Sequence, residues 1–298
     1  MNLRDLRYLV ALADARHFGR AALQCHVSQP TLSAQIRKLE DYLGVALVER
    51  RPRNVALTEI GARVVARARR VVQDCDDIVE LARGSHDPLA GTLRVALIPT
   101  LGPYLLPLLA PRLRKRLPKL QLLLYEYQTA PLLAQLRAGE IDLGIIALGA
   151  GTDGLETRAL GEEAFTLAMP GNHPLAKKAS VRADDLAGET LLLLEDGHCL
   201  RDQALEVCSR IDVHEAADFR ATSLETLRQM VASGHGLTLL PELATRGPFA
   251  AARNLVVRPF GKPVPHRTLG AAWRRTSTRE VAIAAVCDSI AAALAERS

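Results

Sequence analysis

Two cysteines stand nine positions apart in the run Glu195-Asp-Gly-His-Cys-Leu-Arg-Asp-Gln-Ala-Leu-Glu-Val-Cys208. Thiols at such a spacing offer redox chemistry, metal ligation or plain packing, and the local structure decides among them. The segment after Gly197 is rich in helix formers, with Leu200, Ala204 and Val207 on one apolar stripe, which predicts a helix. On a helix, Cys199 and Cys208 lie roughly 13 Å apart along the axis and on roughly opposite faces. A disulfide needs its Cα atoms within about 7 Å. Either the two thiols never pair, or pairing forces the helix to unwind, and the second alternative describes a redox switch. Buried cysteine also serves as a small hydrophobe. A zinc site of Cys199, Cys208, His198 and His214 matches no familiar ligand spacing, so no metal is expected.

The elements around this run alternate. Strand patterns at Thr92–Ile98, Leu120–Tyr127, Ile141–Leu148, Phe165–Met169, Thr190–Leu194, Leu237–Leu240 and Thr268–Trp273 are interleaved with helical ones. The helices are expected at Leu101–Leu117, Pro131–Ala138, Leu224–Ser233 and Arg279–Glu296. Such alternation implies α/β units with largely parallel sheets, whose ligand sites lie at the carboxyl ends of strands. Thr100 and Thr129 each follow a strand, where they can face a ligand, cap the next helix, or do both. Gly149-Ala-Gly-Thr-Asp-Gly154 fits a dinucleotide fingerprint only in its spacing. Leu155–Leu160 beyond it reads as extended rather than helical, so the glycines form a loop and no cofactor is expected.

The front of the chain differs in charge. Residues 1–70 carry 13 Lys/Arg against 6 Asp/Glu, whereas the remaining 228 carry 25 against 27. A basic front on a near-neutral body assigns contact with a polyanion to the front alone. Leu3, Leu6, Leu9, Val10 and Ala13 outline a first helix, and Phe18–Cys25 a second. A tight connection then leads into Gln29–Leu39, with Ser28 as N-cap and Pro30 in the first turn. Leu32, Ile36 and Leu39 form its buried stripe, leaving Gln29, Pro30, Thr31, Ser33, Gln35, Arg37 and Lys38 mostly outward for bases and phosphates. Ala46–Thr58 reads as a hairpin tipped by Arg50, Arg51 and Arg53, a wing for phosphate or minor-groove contact. From Thr58 to about Arg83, Val64, Ala68, Val71, Cys75, Ile78 and Ala82 step by the intervals of a coiled-coil seam. That predicts a dimerisation helix presenting two recognition helices to two half-sites. Gly84–Gly91 has hinge composition.

Five cysteines without framework spacing suggest a reducing compartment. The charged N-terminus lacks the form of a signal peptide, and the apolar run Leu101–Pro111 is too short to span a bilayer. These features predict a cytoplasmic protein without membrane association. Cys25 and Cys287 are expected in helical cores.

The front end resembles the winged helix-turn-helix of LysR-type transcription regulators, through Phe18-Gly-Arg-Ala-Ala and Ser28-Gln-Pro-Thr-Leu-Ser-Ala-Gln-Ile-Arg-Lys-Leu-Glu40. The resemblance spans the chain and implies an α+β protein with three parts. These are a DNA-binding domain (1–58), a dimerisation helix with hinge (59–87), and a two-lobed regulatory domain like a periplasmic binding protein (88–298). Lobe one would comprise 88–162 and 268–298, and lobe two 163–267.

Leu194–Ala204, Cys208 and Phe219–Leu227 are similar to the peroxide-sensing branch of that family. On this resemblance Cys199 is the peroxidatic cysteine and Cys208 its resolving partner, joined reversibly by a disulfide. Thr100, Thr129, His198 and Arg267 line the peroxide pocket, and Asp142 has a part in activation and subunit contact. His198 and Arg201 supply positive charge favouring a thiolate. The resemblance further implies a non-enzymatic activator of oxidative-stress genes, a homotetramer built as a dimer of dimers. It binds double-stranded promoter DNA and RNA polymerase, and glutaredoxin or thioredoxin reduces it. Asp218 departs from the branch, which often carries a histidine there. The remaining alternatives are a regulator answering a small organic effector with inert cysteines, and a thiol peroxidase using Cys199.

Overall fold

The computed structural model describes residues 1–51, 54–84, 87–149, 151–209, 213–247 and 254–296, with the side chains at 50, 51, 54, 77, 80–84, 217 and 218 left aside. The chain divides into two compact units, with its main break between Asp87 and Pro88.

In the first unit, α1 (Leu3–Ala15) starts from a reciprocal cap: Asn2 Oδ1 accepts from the Asp5 amide and Asp5 Oδ2 accepts from the Asn2 amide. α2 (Phe18–Gln24) and α3 (Gln29–Leu43) follow. Ser28 Oγ accepts from the Thr31 amide, Pro30 sits in the first turn, and Gly44 ends α3 in the left-handed region at φ 68°. Leu32, Ile36 and Leu39 are buried in one core with Leu9 and Leu12 of α1. Full burial of each such side chain contributes about 1.5–3 kcal/mol. The wing is an antiparallel pair, β1 (Val48–Arg51) with β2 (Asn54–Leu57). Next comes α4 (Glu59–Gly84). A Cβ at Gly61 would lie 1.9 Å from the Leu47 carbonyl oxygen, so only glycine lets α4 start this close to the wing.

The expected seam on α4 is not one continuous stripe. Val65 and Ala68 are buried in the core of their own unit, with Val64 and Val72 packed against it, whereas Val71 and Ile78 are 44% and 64% exposed. The first half of the helix must cover the three-helix core, and only the later residues are left for another surface. Cys75 is half-buried, and so is Cys25, which closes α2 and packs against the edge of the three-helix core.

The second unit opens with parallel crossovers: β3 (Gly91–Leu97), α5 (Gly102–Arg116), β4 (Leu120–Glu126), α6 (Thr129–Ala138) and β5 (Leu143–Ala147). β6 (Leu155–Pro170) then runs out of this first lobe. The second lobe holds β7 (Thr190–Leu194), α7 (Cys199–Cys208), β8 (His214–Ala221), α8 (Leu224–Ala232), β9 (Thr238–Pro241) and β10 (Leu255–Pro259). β11 (His266–Arg274) returns along β6 to the first lobe, and α9 (Glu280–Ala295) closes the chain with Cys287 in its core.

Strand order is β10–β6–β11–β5–β3–β4, with β9 also on β6, and β7–β8 a separate pair. The expectation of largely parallel sheets is corrected. β4, β3 and β5 are parallel, as are β7 and β8, but β11 runs antiparallel to β5 and β6, and β6 antiparallel to β9 and β10. The cause is the double crossing: β6 leaves the first lobe and β11 retraces its path in the opposite direction. Among the described residues no helix is long and apolar enough to cross a membrane.

Candidate redox site and nucleic-acid interface

α7 occupies Cys199–Cys208, so the two thiols stand at the first and last positions of one helix, and both are free. Leu200, Ala204 and Cys208 are buried, while Cys199 is half-buried against the same core. Burial pushes the Cys208 thiol up, which keeps it protonated at neutral pH. Cys199 sits where the unpaired backbone N–H groups of a helix start favour negative charge.

The charges flanking Cys199 differ from the expectation. His198 is buried, its pKa lowered chiefly by desolvation, although Glu195 and a hydrogen bond to the Thr222 backbone oppose the shift. The imidazole is therefore neutral near pH 7 and brings no full positive charge. Arg201 is committed elsewhere. Its Nη1 and Nη2 donate to Glu215 at 2.7 and 3.1 Å, and its Nε meets Asp196 at 2.9 Å. Arg220 completes the cluster, donating to Asp196 at 3.0 Å.

Four loops converge beside His198 on a cleft of about 560 Å³. Pro99 and Gln128, the residues before Thr100 and Thr129, line it with His198. Gly197 approaches so closely that a Cβ there would lie 2.7 Å from Gln128 Oε1, and its φ of 97° independently requires glycine. Three carboxylates, Glu126, Glu195 and Glu225, also line the cleft. Sequence reading missed these because the fold gathers them from a strand end, a loop and a helix start far apart in the chain.

Neither threonine acts as a helix cap. α5 begins after Leu101 with no side-chain cap, and Thr100 Oγ1 instead accepts from Arg267 Nη1 at 3.0 Å, with the Thr100 carbonyl accepting from Nη2 at 3.1 Å. Thr129 Oγ1 is sealed from solvent without a hydrogen-bond partner among the described residues. A sealed hydroxyl without a partner is costly, unless a small polar ligand meets it. Arg267 is itself buried against Glu163, a residue the sequence reading did not single out. Asp142 is also buried, its two oxygens taken by the Arg94 backbone and guanidinium. Asp218 falls on β8, with its side chain outside the described residues. Leu155 opens a strand directly after Gly154, so the glycine-rich run is a loop and not a nucleotide cradle.

On α3, Gln29, Pro30, Thr31, Arg37 and Lys38 are exposed and Ser33 and Gln35 half-exposed, on the face opposite Leu32, Ile36 and Leu39. The wing strands place Arg50 and Arg51 at its tip, but those side chains and all of Arg53 lie outside the described residues.

A helix-turn-helix with a wing, followed by a two-lobed α/β unit with a cleft, defines a ligand-responsive DNA-binding regulator. Residues 3–62 match the model of the bacterial regulatory helix-turn-helix proteins of the lysR family, and residues 86–295 match the LysR substrate binding domain. The chain belongs to the LysR family of bacterial transcription regulators. It is 51% identical over 274 residues to the DNA-binding transcriptional dual regulator OxyR of Escherichia coli K12, covering 92% of this chain and 90% of that protein. The full-length OxyR C199D of Pseudomonas aeruginosa superposes with a TM-score of 0.80 at 44% identity, covering 97% and 94% of the two chains. An OxyR mutant of Corynebacterium glutamicum solved with hydrogen peroxide bound superposes with a TM-score of 0.69 at 33% identity, over 99% and 93%.

Proposed function

We propose that this chain senses hydrogen peroxide through Cys199 and Cys208 and converts their oxidation into altered contacts with promoter DNA. The observation that carries the reading is the placement of the two thiols at opposite ends of one helix, in a chain half identical to OxyR. Cys199 Sγ, as thiolate, attacks one peroxide oxygen. The S–O bond forms, the O–O bond breaks, and the departing hydroxide takes a proton to leave as water. The sulfenic acid then condenses with the Cys208 thiol, releasing a second water as the S–S bond forms. Thr100, Thr129, His198 and Arg267 hold the peroxide. Hydroxyls, a neutral imidazole and a guanidinium offer the polar contacts that an apolar pocket lacks.

α7 holds its ends too far apart for a disulfide, so oxidation unwinds it and moves Leu200, Ala204 and Cys208 out of the core they pack in. The division at 1–58, 59–87 and 88–298 with its two lobes assigns DNA reading to the first part and sensing to the last. Gln29, Pro30, Thr31, Ser33, Arg37 and Lys38 read the duplex, with Arg50, Arg51 and Arg53 on the wing. The protein works in the cytoplasm as a homotetramer, engages RNA polymerase at genes for peroxide removal and thiol reduction, and is reset by glutaredoxin or thioredoxin. One turnover per switching event makes it a regulator and not a peroxidase.

The test treats reduced protein with about equimolar peroxide, maps disulfides by mass spectrometry, and footprints DNA before and after. The reading predicts a Cys199–Cys208 bond and a changed footprint. No such bond, or identical footprints, overturns it. The cleft also has the size of a small-molecule site, which favours the second reading, an organic effector with inert cysteines. Under that reading Cys199→Ser leaves the response to inducer intact.

A further inference from the structure

Glu163 is the most deeply buried carboxylate among the described residues, and no step of the peroxide reaction uses it. It lies on β6 directly opposite Arg267 on β11, where the two crossing strands pair. Both side chains are wholly enclosed. Arg267 Nε donates to Glu163 Oε2 at 2.8 Å, and Nη2 stands 2.7 Å from the same oxygen. Glu163 Oε1 accepts from the Leu243 amide at 3.0 Å, on the second lobe. Nη1 donates to the Thr100 hydroxyl oxygen, and Nη2, which also faces Glu163, donates to the Thr100 carbonyl, both on the first lobe.

Two consequences follow from elementary chemistry. The Thr100 oxygen already accepts a hydrogen bond from Arg267, so its own proton is left to donate, which makes Thr100 a donor toward a ligand oxygen. The guanidinium, moreover, is neutralised within its own hydrogen-bonded pair. A buried arginine without a counter-charge attracts anions strongly, whereas this pair presents none of that net charge.

We propose that Glu163 is a positioning and specificity-determining residue for the peroxide pocket: it fixes Arg267 on Thr100 and cancels its charge, so that the site admits neutral hydrogen peroxide and refuses small anions. The proposal rests on the assignment of Thr100 and Arg267 to that pocket. It makes Glu163 indispensable without contact with peroxide, through the orientation of a donor and the exclusion of chloride, sulfate and phosphate, which vastly outnumber peroxide in solution.

The experiment uses the full-length reduced protein and three variants, E163Q, E163D and the double variant E163Q/R267Q. Rates of Cys199 oxidation by hydrogen peroxide are measured in buffers in which chloride or sulfate replaces a bulky organic anion at constant ionic strength. Iodoacetamide alkylation of Cys199, which needs no peroxide pocket, is measured alongside. E163Q should oxidise at least about tenfold more slowly, a loss typical of misplaced reacting groups, and slow further with added chloride or sulfate while its alkylation rate stays that of wild type. E163D, which keeps the charge, should remain insensitive to these anions. E163Q/R267Q, which buries no charge and so covers the case of E163Q failing to fold, should react slowly and without anion dependence.

An E163Q protein as fast as wild type and as indifferent to anions overturns the proposal. So does a double variant with the wild-type peroxide rate, or a parallel fall in peroxide and iodoacetamide rates, which marks general disruption. If wild-type Cys199 itself fails to react with peroxide, the underlying pocket assignment fails instead, and the two failures are thereby told apart.

Discussion

Replacing Arg201 by Met should make the disulfide harder to reduce. In the reduced fold Arg201 is nearly buried and holds the first turn of α7 to Glu215 through bonds of 2.7 and 3.1 Å and to Asp196 at 2.9 Å. Unwinding α7 for the Cys199–Cys208 bond pulls Arg201 off Glu215, so these links stabilise only the dithiol form. Hydrogen bonds to charged groups contribute about 1.5–3 kcal/mol. Asp196 is 75% exposed and Glu215 31%, and solvent screening brings the set to about 1–2 kcal/mol. For a two-electron couple that corresponds to a potential about 20–45 mV more negative. Methionine keeps the apolar stem, and Arg220 remains beside both acids, 3.0 Å from Asp196 and 3.7 Å from Glu215, so no buried charge is orphaned. Arg201 holds the Glu215 carboxyl below its usual range. The contribution is thus complete above the ordinary carboxylate pKa and lost only as pH falls through the depressed one, leaving the shift constant between about pH 6 and 8. The assay equilibrates full-length protein in dithiol–disulfide buffers, traps thiols by alkylation and quantifies both forms by mass. A potential within about 5 mV of wild type, or a shift to more positive values, would refute the coupling of this cluster to the switch.

Other perturbations separate the parts. His198 has a lowered pKa from burial. The unfolded chain therefore binds the proton first, and stability falls as pH drops below about 6.5 and levels off below the depressed folded value; melting curves from pH 8 to 5 check this, and His198→Asn should flatten the fall. Leu32→Ala, in the core of the first unit, should cost about 2–5 kcal/mol and abolish DNA binding while peroxide still oxidises Cys199; loss of both activities would contradict two separate cores. Ile78→Lys places a charge on an exposed apolar position of α4, and sedimentation should show weaker self-association with unchanged helicity.

The helix-turn-helix was legible because its signals are local. Ser28, Pro30 and the Leu32–Ile36–Leu39 stripe lie within one helix, and the structure places them as capping and periodicity dictate. α7 was legible for the same reason. What escaped was set by distant partners. The place of Thr100 between a strand and a helix fits both a ligand contact and a cap; only the return of β11 brings Arg267 to its hydroxyl. Glu163 is unremarkable in sequence, since its burial depends on register with a residue 104 positions later. The parallel-sheet expectation failed because alternation of elements does not reveal that β6 and β11 pass through both lobes. The α4 seam was read as one stripe, although its first half is consumed by the core it must cover. His198 was credited with positive charge that its burial removes.

The central claim is that the Cys199–Cys208 bond cannot form while α7 stands. Amide hydrogen exchange over residues 199–209, measured in the fully reduced and fully oxidised protein, tests it most directly. The reduced helix, in which the Ser209 amide still bonds back to the Glu206 carbonyl, should be protected, and the oxidised segment should exchange orders of magnitude faster. A mapped Cys199–Cys208 disulfide with undiminished protection across this segment would contradict the account.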